Sequence, residues 1–210
     1  MTSELFLKTI SNGLFDFLEN EDRLSDLSSR KENAWSDALA TFFIKGDRLP
    51  VASVRCNKSY PGQRTRYDLL VNLTGGISVY AEVKGIWKSY WCDLGNAAKH
   101  QGYLFAPLNN RKSDKSAAMD LQKLATIVAA IPGATLAAQL IVGSAKRIHQ
   151  LGSELDLYES LSGINEPPWS KARRCWQNHA FSDYDYDARL YVCDKPGLVS
   201  WWKQHGSKWS

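Results

Sequence analysis

Two carboxylates and one lysine in the middle of the chain have the types and the spacing to hold a divalent cation beside a phosphate. Glu82 and Lys84 lie two residues apart in a segment typical of a β-strand, so both should project from one face. Asp68 comes one strand earlier. Two neighbouring carboxylates repel each other unless a cation joins them, and carboxylate oxygen suits Mg²⁺. Bound Mg²⁺ acidifies a water and stabilises charge on a phosphate, while Lys84 could orient that water or neutralise the transition state.

Three predicted strands position these residues: Val51 to Cys56, Arg66 to Leu73 and Ile77 to Lys84. The sequence Thr74-Gly75-Gly76 between the last two predicts a tight hairpin turn. Such a hairpin pairs position 68 with roughly 82, which would bring the two carboxylates side by side. In the third strand the alternating apolar residues predict a core face opposite to that of Glu82 and Lys84; they are Ile77, Val79, Ala81 and Val83.

A preceding helix could add a third carboxylate. The pattern predicts a helix from about Ser29 to Lys45, closed by Gly46. Its apolar stripe contains Trp35, Leu39, Phe42 and Phe43. The spacing of Glu32 from Leu39 and Phe43 places Glu32 on that stripe near the helix start. From there Glu32 could bind a second metal or a metal-bound water.

Basic residues lie at the end of the first of these strands and in the segment after it, and they supply candidate contacts to nucleic acid. Arg55, Lys58, Arg64 and Arg66 occur with no acid among them, and this segment is either a solvated loop or a phosphate-contacting arm. Asp120 and Lys123, on a later helix, could face the site. Their spacing is more typical of a surface ion pair, although Lys123 is kept as a candidate nucleic-acid contact.

With Glu32, Asp68 and the run Glu82-Val83-Lys84, the chain resembles the PD-(D/E)XK nuclease superfamily over about residues 30 to 142. The resemblance implies a restriction endonuclease-like core. It implies Asp68, Glu82 and the backbone carbonyl of Val83 as Mg²⁺ ligands, with Mn²⁺ as a substitute, and Lys84 as the residue that assists the attacking water. Glu32 matches the acid of the family's first helix. Tyr67 stands where many members carry proline. The implied partner is nucleic acid, with DNA favoured, and a homodimer or a subunit of a larger complex fits this family.

The remaining pattern predicts one α/β domain over residues 1–210, with a central mixed β-sheet flanked by helices and a core of order αβββαβ. The predicted helices and strands outside the hairpin region are a helix over 3–19, a polar loop or broken helix over 19–30, a short polar helix over 93–101, a helix over 114–130, a strand over 135–142, a helix over 146–161, an edge strand over 189–193 and a short helix over 198–204. Asp183, Asp185 and Asp187 predict an exposed loop or edge strand.

Composition is that of an ordinary globular domain. The 210 residues are 44% hydrophobic and 23% charged, with a formal net charge of +4, which permits nucleic-acid binding without requiring it. Four scattered cysteines argue against a zinc ribbon and fit a cytoplasmic protein with reduced thiols. No segment has the roughly 20 apolar residues of a membrane helix.

The leading hypothesis is a magnesium-dependent DNA endonuclease, with restriction or defence against mobile elements favoured over repair. The first alternative is a non-cleaving nucleic-acid-binding subunit of the same fold. The second is a protein-interaction domain whose tryptophans form a partner surface. The tryptophan-rich segments around Trp169 to Trp176 and Trp201 to Trp209 could also stack on bases, but core packing is favoured for them.

Overall fold

A computed structural model describes the chain at residues 1–19, 32–87, 116–145, 148–176 and 185–205, without the side chains at 32–34, 87, 144–145 and 148–151. The described part is a mixed α/β fold in which helices cover a six-stranded sheet. The predicted segments at 20–30 and 93–101 lie outside the described residues. None of the described helices has the length and apolar character needed to cross a membrane.

The helices and strands follow one another as α1 (Ser3–Glu19), α2 (Glu32–Lys45), β1 (Val51–Ser59), β2 (Arg66–Leu73), β3 (Ser78–Trp87), α3 (Ala117–Ala130), β4 (Thr135–Ala145), α4 (Ile148–Ser162), β5 (Ser170–Trp176), β6 (Asp185–Asp194) and α5 (Lys195–His205). The strand order is β1-β2-β3-β4-β6-β5. Among the described strands, only β3 and β4 pair in parallel, because α3 crosses over between them. The predicted mixed sheet and the predicted order from α2 to β4 are confirmed. Closer agreement with the restriction endonuclease-like core stays a prediction.

The hairpin between β2 and β3 forms as predicted. Leu73 N donates to Ile77 O at 2.9 Å and Gly76 N donates to Leu73 O at 3.1 Å. Gly76 has a φ of 74°, which glycine adopts without steric cost. The register runs from Asn72–Ser78 to Leu69–Ala81. The paired part of the hairpin therefore ends immediately before Asp68 and Glu82.

Apolar side chains cover both faces of the sheet. On one face, α2 packs on β1, β2 and β3 and α1 packs on β5 and β6, and the core beneath them contains Val79 and Val83. On the other face, α3 packs on β3 and β4 while α4 and α5 pack on β4 and β6, and that core contains Tyr80 and Ile86. β3 lies inside the sheet, between β2 and β4, and is covered on both faces. The face that carries Glu82 and Lys84 is therefore covered by protein as well.

The position of α3 on the second face follows from its sequence. Ser116 caps the helix start, with its side chain accepting a hydrogen bond from Met119 N at 3.1 Å. The spacing of Leu121, Leu124, Val128 and Ile131 predicts one apolar stripe on this helix, and all four side chains are buried. Burying one such side chain stabilises the fold by about 1.5–3 kcal/mol. The same stripe fixes which polar side chains of α3 point at the sheet.

Three predictions about the periphery are wrong. β6 is not an edge strand, because it lies between β4 and β5, and its consecutive residues are buried because both faces are covered. The edge next to β6 is β5, which the sequence analysis did not predict as a strand. Asp187, predicted to be exposed, is buried in β6. The apolar spacing of the helix over 3–19 predicts Leu5 on its stripe, but Leu5 is 52% exposed.

Candidate active site

Glu82 and Lys84 project from the same face of β3, as predicted, and both are buried. Glu82 is 1% exposed and Lys84 is 4% exposed. Neighbouring residues at the same parity, such as Tyr80, belong to the core beneath α3. A carboxylate and an ammonium group that leave water in this way must find partners within the protein.

Asp68 lies at the point where the β2–β3 pairing ends. Its Oδ2 accepts a hydrogen bond from Val83 N at 2.8 Å. The side chain therefore satisfies a backbone donor of β3 beyond the last paired residues, Leu69 and Ala81. Because Val83 stands between Glu82 and Lys84, this bond brings Asp68 next to both. The predicted proximity of Asp68 and Glu82 is confirmed.

Helix α3 brings Asp120 and Lys123 to the same place. Lys123 Nζ lies 2.7 Å from Glu82 Oε2 and 3.5 Å from Asp120 Oδ1. Asp120 Oδ2 lies 3.0 Å from Lys84 Nζ. The prediction of a surface ion pair is wrong for Asp120, which is 4% exposed. Its spacing of four residues from Leu124 already places it on the buried stripe, and that signal could have identified it.

Tyr60 is the member of the site that the sequence analysis missed. Its Oη donates a hydrogen bond to Glu82 Oε1 at 2.7 Å, and its side chain is fully buried. It precedes a turn rich in basic and polar residues, where a buried side chain is not expected. No spacing in the sequence connects Tyr60 to Glu82, because the contact depends on how the turn folds over the sheet.

We call these six residues the carboxylate cluster: Tyr60, Asp68, Glu82, Lys84, Asp120 and Lys123. Among them, three carboxylates face two ammonium groups. Burial raises the pKa of Glu82 well above its ordinary value of 4.5, and the charges of Asp68 and Asp120 raise it further against the opposing effect of Lys123. Burial alone would lower the pKa of Lys123, but Glu82 and Asp120 outweigh it and raise that pKa. Within this set of described residues, the carboxylates outnumber the ammonium groups by one.

The other predicted site residues occupy different positions. Glu32 begins α2, but its side chain is outside the described set. The four basic residues Arg55, Lys58, Arg64 and Arg66 are exposed around the β1–β2 connection. Burial raises the pKa of Tyr80, and the Arg55 guanidinium opposes that rise, so Arg55 lies near the aromatic side chains that adjoin Glu82. Lys123 contacts Glu82 directly and is only partly exposed.

A second polar group, which we call the arginine cluster, lies on the same face of the sheet, at β5 and β6. Arg189 on β6 is fully buried, and its Nη1 donates to Glu159 Oε1 at 2.7 Å. Glu159 also accepts from Tyr191 Oη at 2.6 Å and from Lys171 Nζ at 2.9 Å. The cluster comprises Asp156, Glu159, Lys171, Arg173, Asp187, Arg189 and Tyr191. Three carboxylates there face three basic groups.

Gln139 on β4 lies between the two clusters. It is opposite Glu82 in the β3–β4 register and opposite Tyr191 in the β4–β6 register. Its Nε2 donates to Ala117 O at 2.7 Å, and its Oε1 accepts from Tyr158 Oη at 2.8 Å. Because Ala117 is the first residue of α3, this buried amide helps to fix the helix that carries Asp120 and Lys123.

The donor set of the carboxylate cluster fits Mg²⁺. Across the described ranges, no three side chains of His, Cys, Asp or Glu form a metal cage. Mg²⁺ commonly takes one or two carboxylates together with waters and phosphate oxygens. Asp68 and Glu82 could provide the two carboxylates. Asp120 Oδ2 is buried and lies 3.0 Å from Lys84 Nζ. The three neighbouring carboxylates of the cluster favour a bound cation, because they repel one another unless a cation joins them.

Comparisons of this chain with protein-family models, with curated proteins and with solved structures find no match. The geometry and the charges of the carboxylate cluster are therefore the evidence that bears on function.

Proposed function

We propose that the chain is a magnesium-dependent endonuclease that hydrolyses phosphodiester bonds in DNA. One observation carries the proposal. The carboxylate cluster brings three carboxylates, those of Asp68, Glu82 and Asp120, together with Lys84 beneath α3. Neighbouring carboxylates repel one another unless a cation or a proton joins them, and functional sites are where such arrangements concentrate.

The residues divide the work by their chemistry. Asp68 and Glu82, with the Val83 carbonyl, would hold Mg²⁺, which when bound lowers the pKa of a water and stabilises charge on the phosphate. Lys84 Nζ would donate hydrogen bonds to the attacking water or to a phosphate oxygen. Asp120 holds Lys84 in place through the 3.0 Å ion pair. Glu32 would act on a second metal or on a metal-bound water.

The basic residues beside the site support a polyanionic substrate. Arg55, Lys58, Arg64 and Arg66 are exposed around one turn, and guanidinium and ammonium groups bind phosphates in any sequence. Lys123, at 24% side-chain exposure, could reach a phosphate at the site itself. We favour a role in restriction or in defence against mobile elements, with DNA as the substrate.

A cleavage assay tests the proposal. Plasmid and oligonucleotide DNA, with RNA in parallel, should be cut with Mg²⁺ or Mn²⁺ and left intact with EDTA. Lys84→Ala should reduce the rate by roughly 10²–10³-fold, which is the typical cost of losing a group that stabilises the transition state. Lys203→Ala is the matched control, because Lys203 is exposed on α5. Cleavage that persists in both Asp68→Ala and Glu82→Ala would falsify the assignment.

One observation favours a second candidate, a non-cleaving nucleic-acid-binding subunit. Both carboxylate oxygens of Glu82 already accept hydrogen bonds, from Tyr60 and from Lys123. If those bonds persist in the working protein, the carboxylate is a structural group. This candidate predicts binding to DNA that weakens steeply with salt, no cleavage of any substrate, and no effect of Lys84→Ala on binding.

A further inference from the structure

Tyr60 joins the basic turn to the carboxylate cluster. Its backbone closes the turn, since Tyr60 N donates to Thr65 O at 3.0 Å and Gln63 N donates to Tyr60 O at 3.0 Å. The residues on either side of it, Ser59 and Pro61, are exposed, whereas the Tyr60 side chain is 1% exposed. A single side chain of this connection therefore turns inward to the site.

Two other tyrosines fix the orientation of the Tyr60 ring. It stacks on Tyr80, with centroids 5.3 Å apart and an interplanar angle of 22°. It meets Tyr67 edge to face, with centroids 5.3 Å apart and an angle of 82°. With the ring held on two sides, the hydroxyl has one direction in which to donate, toward Glu82.

The two donors on Glu82 differ in charge. Lys123 brings a positive charge to Oε2, which offsets the carboxylate charge that a cation needs. Tyr60 brings a neutral O–H to Oε1, which fixes the carboxylate without offsetting its charge. A tyrosine hydroxyl is protonated at neutral pH, so Tyr60 would still orient Glu82 in a complex in which Lys123 contacts a phosphate.

We propose that Tyr60 is a positioning residue that holds the Glu82 carboxylate in the orientation that binds a divalent cation, and that it thereby couples the basic turn to the cation site. This inference rests on the proposed function for the identity of the cation site. Groups that orient metal ligands in this way typically change metal affinity by about 10- to 100-fold when they are removed.

The test is the affinity of the full chain for Mn²⁺, measured by calorimetry or by electron paramagnetic resonance without any substrate. Tyr60→Phe removes one oxygen and should weaken binding by about 10- to 100-fold. Tyr191→Phe is the matched control, because Tyr191 is also a buried tyrosine whose hydroxyl donates to a buried glutamate, Glu159, at 2.6 Å. It should lose similar thermal stability and bind Mn²⁺ with unchanged affinity. Equal affinities for Tyr60→Phe and the unsubstituted chain would overturn the proposal.

Two further measurements keep the outcome decisive. Should Tyr60→Phe not fold, the unsubstituted chain labelled at the tyrosine Cζ is titrated with Mg²⁺. The Tyr60 resonance should shift and that of Tyr191 should not, and a static Tyr60 resonance counts against the proposal. Glu82→Gln should abolish the Mn²⁺ site, and a site that survives it refutes both the positioning role and the proposed ligand set. A chain that binds Mn²⁺ through Glu82 and Tyr60 but cuts no nucleic acid refutes the nuclease and leaves the positioning role supported.

Discussion

Two buried glutamates on the same face of the sheet have opposite electrostatic surroundings. Glu159 in the arginine cluster is held by Tyr191, Lys171 and Arg189, and these hydrogen bonds outweigh burial and lower its pKa. Glu82 in the carboxylate cluster has Lys123 and Tyr60 as partners and two further carboxylates nearby, and its pKa is raised. Among the described residues, the first site has three carboxylates and three basic groups, whereas the second has three carboxylates and two ammonium groups.

The difference separates charges that support the fold from charges that are available for a ligand. The arginine cluster ties β5, β6 and α4 together, since its members come from all three. The carboxylate cluster also joins a helix to strands, but the charges of Asp68 and Asp120 raise the pKa of Glu82, so its carboxylates repel one another in the folded state. Such arrangements concentrate at functional sites.

The largest expected effect is on stability. Glu159→Gln leaves the fully buried Arg189 without its closest carboxylate contact, so the free energy of unfolding should fall by about 3–5 kcal/mol. Glu82→Gln removes a carboxylate that two like charges disfavour, and should change the free energy of unfolding by less than about 1 kcal/mol. Urea denaturation of both variants checks this. Equal losses in the two variants would show that the clusters do not differ in the way described.

The next effect is on cleavage. Asp120→Asn removes the negative charge that holds Lys84 Nζ at 3.0 Å, so cleavage should fall by about 10- to 100-fold while the fold is retained. The rate of DNA cleavage at saturating Mg²⁺ is the measurement. Asp156→Asn is the matched control from the arginine cluster, because Asp156 also contacts a buried base but lies far from β3. A comparable loss of cleavage in both variants would argue for a general structural effect.

The dependence of stability on pH should have opposite signs at the two glutamates. The folded pKa of Glu159 is below its ordinary value of 4.5, so its contribution is present above pH 4.5 and is lost as the pH falls through the folded pKa. The folded pKa of Glu82 is above 4.5, so its contribution is fully present below pH 4.5 and is lost as the pH rises toward the folded pKa. Thermal unfolding across pH 3–8 measures both slopes (roughly the range in which carboxyls titrate).

Glu159→Gln should flatten the loss of stability on the acid side, and Glu82→Gln should flatten the loss above pH 4.5. A Glu82→Gln profile that superimposes on that of the unsubstituted chain would mean that this carboxyl is not perturbed by its neighbours.

The smallest effect concerns the rim of the arginine cluster. Asp156 lies 3.0 Å from Arg189 Nη1, but its side chain is 65% exposed. Solvent screens such a contact, so Asp156→Asn should lower the free energy of unfolding by less than about 1 kcal/mol. Urea denaturation in low and in high salt measures this loss. A loss near that of Glu159→Gln would mean that the exposed Asp156 carries the cluster's stability.

Several features of the fold could be predicted from sequence because they depend on local periodicity. The alternation in β3 placed Glu82 and Lys84 on one face, and Gly76 with its neighbours defined the hairpin that brings Asp68 to the same end. The stripe of α3 was likewise correct, and it implicitly contained Asp120. β6 was misplaced because a strand covered on both faces loses the alternation by which its neighbours are inferred.

The sequence by itself determined the three residues at the centre of the site, because turn geometry and a period of two act over fewer than about twenty residues. Only the tertiary structure decided that Asp120, Lys123 and Tyr60 contact them. Those contacts require α3 to cross over β3 in the parallel connection and the basic turn to fold a tyrosine inward. Periodicity defines the face of a strand on which a side chain lies. Packing between distant segments selects what covers that face and therefore which charged groups meet there.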